Sequence, residues 1–151
     1  MNSEEYQNLC AVNRALIRFR GAYAAWAAVH SMSHTEMLAL YDLRDDGICT
    51  QKRICTRYRI PPQTVNHTIL NLRARGLLQE TKSEGREKAF ALTEAGRESA
   101  QPLLDSLNAI ETRAIDRFTP EKLASLAQLL GEFGEALDQA IGEEASAAID
   151  R

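Results

Sequence analysis

A mainly α-helical chain carrying one small β-hairpin is the fold class that the sequence predicts. Three observations carry that reading. Apolar residues recur at helical spacing along most of the 151 residues. Helix-start signals stand at Ser33, Thr50, Thr93 and Thr119. A polar, glycine-containing tip, Lys82-Ser83-Glu84-Gly85-Arg86-Glu87, separates two short apolar runs.

The first helix is expected over residues 3–29. Ser3 is its candidate N-cap, with Glu4 and Glu5 in the first turn, where the helix dipole favours carboxylates. The stretch Ala22-Tyr23-Ala24-Ala25-Trp26-Ala27-Ala28 is rich in small residues, so another helix can approach it closely. Ser33-His34-Thr35-Glu36 has the capping-box pattern and starts a second helix, which ends at Asp45-Asp46-Gly47. Ile48-Cys49 is compatible with a very short strand. Thr50 caps a short third helix over residues 51–58, expected to bury Ile54, Cys55 and Tyr58. Arg59-Ile60-Pro61-Pro62 breaks it, because a residue before proline avoids the helical region. A fourth helix then runs from about Pro62 to Ala74 and stops near Gly76. The hairpin strands are expected at 77–81 and 88–92. Thr93 starts a fifth helix, which Pro102 should kink or interrupt. Thr119-Pro120-Glu121 starts a sixth, expected to run to about residue 142 and to fray beyond it. Its apolar stripe is Leu123, Leu126, Leu129, Leu130, Phe133 and Leu137.

The composition bounds the function. No apolar run approaches the roughly 18–20 residues needed to span a bilayer, so no membrane partner is expected. The acidic start, Met1-Asn2-Ser3-Glu4-Glu5, does not read as a secretory leader. Three scattered cysteines, Cys10, Cys49 and Cys55, form no disulfide framework and fit a reducing, cytoplasmic compartment. The net charge of −3 hides a strong asymmetry. Residues 50–90 hold nine of the eighteen Lys and Arg but only three of the twenty-one Asp and Glu. Net positive charge is therefore confined to about forty residues between acidic flanks, the footprint of a local polyanion-binding surface.

Short helix, tight turn, longer helix and hairpin, inside that basic block, is the order of a winged helix-turn-helix. Val65, Ile69 and Leu72 form the buried side of the longer helix. Its opposite side presents Gln63, His67, Leu70, Asn71 and Ala74, flanked by Thr64 and Asn66. This is a small, polar, lysine-free face suited to base edges in the major groove. Pro62, Gln63, Thr64, Asn66, His67, Asn71, Arg73 and Arg75 are the candidate recognition residues, the two arginines being better placed for phosphates. The wing candidates are Lys82, Glu84, Arg86 and Lys88. An arginine at such a tip suits the negative potential of a minor groove. Thr50, Gln51, Lys52 and Arg53 are expected to meet the DNA backbone.

Across residues 50–96 the motifs Thr50-Gln51-Lys52-Arg53-Ile54, Pro62-Gln63-Thr64-Val65-Asn66, Leu72-Arg73-Ala74-Arg75-Gly76-Leu77, Glu84-Gly85-Arg86 and Leu92-Thr93-Glu94-Ala95-Gly96 resemble the MarR family of bacterial regulators. The helix order outside that window matches too. Arg86 falls at that family's wing arginine, and Glu84 stands where an aspartate is usual. The resemblance implies a single domain over residues 1–151. Within it, residues 34–98 form the DNA-binding lobe, and residues 1–30 and 101–145 form the helices of a homodimer. A two-fold dimer implies double-stranded DNA with a pseudo-palindromic operator. The function implied is a transcriptional regulator, a repressor released by a small lipophilic or phenolic effector.

By the same resemblance, the effector pocket draws on Tyr23, Trp26, His30, Met32, Met37 and Tyr41, residue types that suit an apolar ligand. For any one of them, ordinary core and dimer packing is the simpler reading. Cys10 lies roughly where peroxide-sensing members carry their reactive thiol, so a thiol-based oxidation sensor is one alternative; a small buried hydrophobe is the other. A winged-helix protein-interaction module without DNA readout is a further alternative. His30 and His34 straddle the cap at Ser33, so no metal site is expected, nor any cofactor. No GxSxG, phosphate loop, HExxH or paired carboxylates in an apolar setting point to an enzyme.

Overall fold

The computed structural model describes residues 1–82, 85 and 87–149, with the backbone alone at Ile149. Two compact units divide the chain, residues 1–106 and residues 107–151.

In the first unit, α1 (Ser3–Val29) is capped by Asn2, one residue before the expected cap. The Asn2 side chain accepts from the Glu5 N–H at 2.9 Å, and Glu5 Oε2 accepts from the Asn2 N–H at 2.8 Å. That reciprocal pair needs a carboxylate three residues beyond the cap, which Asn2 has in Glu5. Ser3 is therefore the first helical residue and not the cap. Helix α2 (His34–Asp46) begins as expected, with Ser33 Oγ accepting from the Glu36 N–H at 3.0 Å. It buries Met37, Ala39, Leu40 and Leu43, together with the carboxylate of Asp42.

Strand β1 (Cys49–Thr50) lies one residue later than expected, because Cys49 and Thr50 are the residues that pair with the wing. Helices α3 (Gln51–Tyr58) and α4 (Pro62–Ala74) follow. Ile54 is fully buried, whereas Cys55 and Tyr58 are only half-buried. The wing strands are β2 (Leu78–Thr81) and β3 (Ala89–Leu92). All pairings are antiparallel in the order β1-β3-β2, with Cys49 opposite Phe90 and Leu78 opposite Leu92. The wing is thus bound to the entrance of α3 as well as to the exit of α4.

The core of this lobe unites Leu40, Leu43, Ile54, Val65, Ile69, Leu72, Leu78 and Phe90, all buried. Each large side chain buried there contributes on the order of 1.5–3 kcal/mol of transfer free energy. Just beyond α4 and its cap Arg75, Gly76 has a φ of 71°, in the left-handed region that glycine adopts without a Cβ penalty. Thr93 then ties the entrance of α5 (Glu94–Ile115) to this corner. Its hydroxyl donates to the Gly76 carbonyl at 2.6 Å and accepts from the Gly96 N–H at 3.0 Å. A Cβ at position 96 would lie 2.1 Å from the Leu77 carbonyl oxygen, so only glycine lets α5 pass the wing base this closely. Pro102 does not end α5, which continues to Ile115. The hydrogen bond that the proline forfeits is that to the Glu98 carbonyl, and both residues are exposed, so water can satisfy the freed oxygen.

In the second unit, α6 (Pro120–Ile149) starts as expected, with the Leu123 N–H donating to the Thr119 carbonyl at 3.0 Å. Backbone and Thr119 hydroxyl hydrogen bonds hold the Glu121 carboxyl below its ordinary pKa. The helix runs beyond the expected end near residue 142 to Ile149. Ala145, Ala147 and Ala148 have the highest helix propensity, and Gln139 donates to Glu143 across one turn at 2.9 Å. Leu126, Leu129, Leu130, Leu137 and Ile141 are exposed along it, with Leu129 63% exposed. On α1, Tyr6, Ile17, Phe19 and Val29 are exposed as well. Among the described residues no helix is long and apolar enough to cross a membrane.

Candidate nucleic-acid interface

The turn between α3 and α4 is built by its own residues. Thr50 Oγ1 accepts from the Arg53 N–H at 3.1 Å, fixing the start of α3. Arg59 closes α3 with a φ of 51°, in the left-handed region. Pro61 caps α4 without a side-chain bond, and its carbonyl accepts from the N–H groups of Thr64 and Val65 at 3.0 and 3.2 Å. Gln51 Nε2 donates to the Pro62 carbonyl at 3.1 Å, so the first residue of α3 pins the first turn of α4. Gln51 therefore has an internal partner in addition to its expected place at the backbone of DNA.

With Val65, Thr68, Ile69 and Leu72 turned into the core, α4 leaves Pro62, Gln63, Thr64, Asn66, His67, Leu70, Asn71, Arg73 and Arg75 exposed. The buried hydroxyl of Thr68 is satisfied by the Thr64 carbonyl at 3.1 Å. The outward face is thus the short, polar one that the spacing predicts. Its amides and hydroxyls have donor and acceptor pairs of the kind that base edges require.

The basic side chains divide into two groups. Arg53 is held inward: its Nε donates to Asp42 Oδ2 at 2.9 Å and a terminal nitrogen donates to the Ile48 carbonyl. Arg57 Nη1 donates to Asp42 Oδ1 at 2.7 Å and to Asp46 Oδ2 at 3.1 Å. Tyr58 adds a third donor, its hydroxyl lying 3.0 Å from Asp42 Oδ1. Asp42 is completely buried, so its charge is balanced by these α3 groups and not by water. Burial and the bond to Asp42 push the Tyr58 phenol up to about 12, and the Asp42 charge drives the Arg57 pKa further up. Sequence reasoning missed this network. Its signal is a carboxylate on the apolar side of α2, next to Leu43 and one helical turn from Leu38, with three arginines following in α3 and its exit.

The second group faces outward. Lys52 Nζ lies 3.3 Å from Glu87 Oε1, and Lys88 Nζ lies 3.5 Å from Glu80 Oε2. Such exposed pairs are worth little and exchange readily for phosphate. Arg73 stacks its guanidinium 5.6 Å from the Phe90 ring centre. Arg75 pairs with Glu36 at 2.6 Å, which links the end of α4 to the start of α2. Lys82 is exposed at the end of β2. Glu84 and Arg86 lie outside the described residues, and the wing arginine is placed by the sequence alone.

Of the expected pocket residues, Met32 and Met37 are buried, and Tyr23, Trp26, His30 and Tyr41 are half-buried. The Trp26 and His30 rings lie 4.5 Å apart, tilted by 48°. A cavity of about 120 Å³ opens beside His30 and Met32, walled by Leu40, Leu72 and the Glu36–Arg75 pair. Tyr23, Trp26, Met37 and Tyr41 are not among its lining residues. The Nε1 of Trp26 and the Nδ1 of His34 are buried without a hydrogen-bond partner. Burial, reinforced by the charge of Arg20, lowers the His34 pKa. Cys10 is half-buried on α1, and burial together with the Asp42 charge pushes the Cys49 thiol up to about 12, which leaves it unreactive. Among the described residues no group of three or more His, Cys, Asp or Glu is placed to hold a metal ion.

Residues 32–96, from the entrance of α2 to the first turn of α5, match the model of a winged helix DNA-binding domain. No curated protein matches the chain. A MarR family regulator from Neisseria meningitidis superposes with a TM-score of 0.82 at 24% identity, over 95% of this chain and 99% of that one. AbsC, a MarR family transcriptional regulator from Streptomyces coelicolor, gives 0.73 at 16% identity, over 92% and 97%. BpsR of Bordetella bronchiseptica, whose DNA binding is regulated by 6-hydroxynicotinic acid, gives 0.63 at 22% identity, over 82% and 98%. Identities this low speak to the fold alone. Residues 32–96 are thus similar to a winged helix DNA-binding domain, and the chain shares the fold of the MarR family regulator structures.

Proposed function

We propose that the protein is a homodimeric transcriptional regulator of the MarR type that reads double-stranded DNA in the cytoplasm, and that it acts by binding and not by catalysis. The observation that carries the reading is the outward face of α4. Gln63, Thr64, Asn66, His67 and Asn71 are exposed, polar and free of lysine, while Lys52, Arg73 and Lys88 flank them. Short polar side chains can satisfy base edges, and the surrounding cations supply the phosphate attraction on which affinity depends.

The regulatory half of the proposal is a repressor released by a small, lipophilic, phenolic effector. Its support is the cavity beside His30 and Met32. At about 120 Å³ it suits a single ring, since an apolar cavity of about 150 Å³ holds benzene. The Glu36–Arg75 pair in its wall joins it to the end of α4, so an occupant that displaces the pair alters how the recognition helix is held. BpsR, of the same fold, responds in its DNA binding to a small aromatic acid.

The test is selection of bound sequences from random duplexes, with wild type and with the triple variant Gln63→Ala, Thr64→Ala, Asn66→Ala. The expected result is a pseudo-palindromic consensus that the triple variant loses while it retains salt-sensitive binding. A consensus unchanged in the triple variant removes α4 as the reader. No binding to any duplex would favour a protein-interaction module instead. Phenolic compounds and 6-hydroxynicotinic acid, added to the selected complex, are expected to include one that releases the DNA.

A further inference from the structure

Leu70 stands out on the recognition face. It is 52% exposed, yet it sits between Asn66, one helical turn before it, and Arg73, one turn after it. All three line a groove of about 620 Å³ between α4 and the wing, floored by Ile69 and Phe90 and rimmed by Lys88 and by Lys52 with its partner Glu87. A lone exposed leucine on a protein surface needs no explanation. This one lies at the centre of a polar, cation-rimmed surface, where a polar residue would serve solvation better. Three cations against the one carboxylate of Glu87 leave the rim net positive, which complements duplex DNA, the occupant that the proposed function gives it. The apolar group that the major groove offers is the C5-methyl of thymine.

We infer that Leu70 is a specificity-determining residue that packs against a thymine methyl in each half-site, beside the base edge met by Asn66. The inference rests on the proposed DNA-reading role of α4 and adds a base identity to it. The contact is apolar and needs no directional partner. It therefore discriminates thymine from uracil, which differ by that methyl alone, where a hydrogen-bonding residue at the same place does not.

The experiment starts from the operator selected by the wild-type protein. Each thymine of the half-site is replaced in turn by uracil, symmetrically in both half-sites. Dissociation constants are measured for wild type and for Leu70→Ala, a change that favours helix formation at an exposed site. At one thymine per half-site, wild type is expected to lose about three- to fivefold in affinity for each methyl removed, the size of one buried methyl group. Leu70→Ala is expected to bind thymine and uracil equally at that position, while other uracil replacements affect both proteins alike. Three results overturn the inference: no thymine shared among the selected half-sites, no uracil position that weakens wild type, or an equal loss in Leu70→Ala. Failure to select any sequence is a different outcome, which overturns the DNA-reading role itself.

Discussion

Asp42 has no access to water, so its charge depends on Arg53, Arg57 and Tyr58. These partners join α2 to α3 and hold the helix-turn-helix together. Asp42→Ala removes the common acceptor and strands the donors of α3. Breaking a buried pair costs on the order of 3–5 kcal/mol. Arg53 and Arg57 keep partial solvent access, which places the expected loss nearer 2–3 kcal/mol. Urea unfolding should show a lower midpoint at unchanged slope. An unchanged midpoint would mean that the network contributes nothing. The sequence alone could not reveal these contacts, because their partners lie eleven to sixteen positions apart across a helix, a strand and a turn. Gly96 was legible as part of a motif, but its physical reason, the approach of the Leu77 carbonyl, required the fold.

At the scale of elements, local chemistry accounts for what was legible. Ser33, Thr50 and Thr119 each stand at the helix entrance they predict, because a hydroxyl that accepts from the N3 or N2 N–H acts within one turn. Asn2 and Ser3 are both good caps one residue apart, and the reciprocal bond to Glu5 decides between them. The length of α6 escaped prediction because its last turns carry helix-forming alanines without a periodic apolar face. The exposed, polar face of α4 was legible from periodicity. The division of α3 was not: Lys52 faces outward, whereas Arg53 serves Asp42. This division makes a prediction for DNA binding. Lys52→Ala and Lys88→Ala should each reduce the slope of log affinity against log salt by about 0.9, the value of one phosphate contact. Arg53→Lys should leave the slope unchanged, with stability monitored in parallel. A slope change at Arg53 equal to that at Lys52 would show that Arg53 leaves Asp42 to meet DNA.

The whole molecule has a charge and an apolar pattern that point in one direction. Negative charge dominates both flanks and positive charge the middle, so the approach of a polyanion is favoured at the winged helix and opposed elsewhere. The exposed leucines of α6 and the exposed Ile17 and Phe19 of α1 are apolar surface that a second copy of the chain can cover. Sedimentation at micromolar concentration should give twice the 16.8 kDa chain mass, and Leu129→Lys with Leu137→Lys should shift it toward one. A wild-type monomer would contradict the two-fold reading of the operator.

The most direct test of the central claim is a salt titration of the purified protein on its selected operator and on a scrambled duplex, followed by fluorescence anisotropy between about 50 and 200 mM salt. With several phosphate contacts, affinity for both duplexes should fall by orders of magnitude. The operator should stay the tighter of the two throughout, by at least about a thousandfold. Equal affinity for the two duplexes, or binding indifferent to salt, would contradict the assignment of α4 and the wing as a DNA-reading surface.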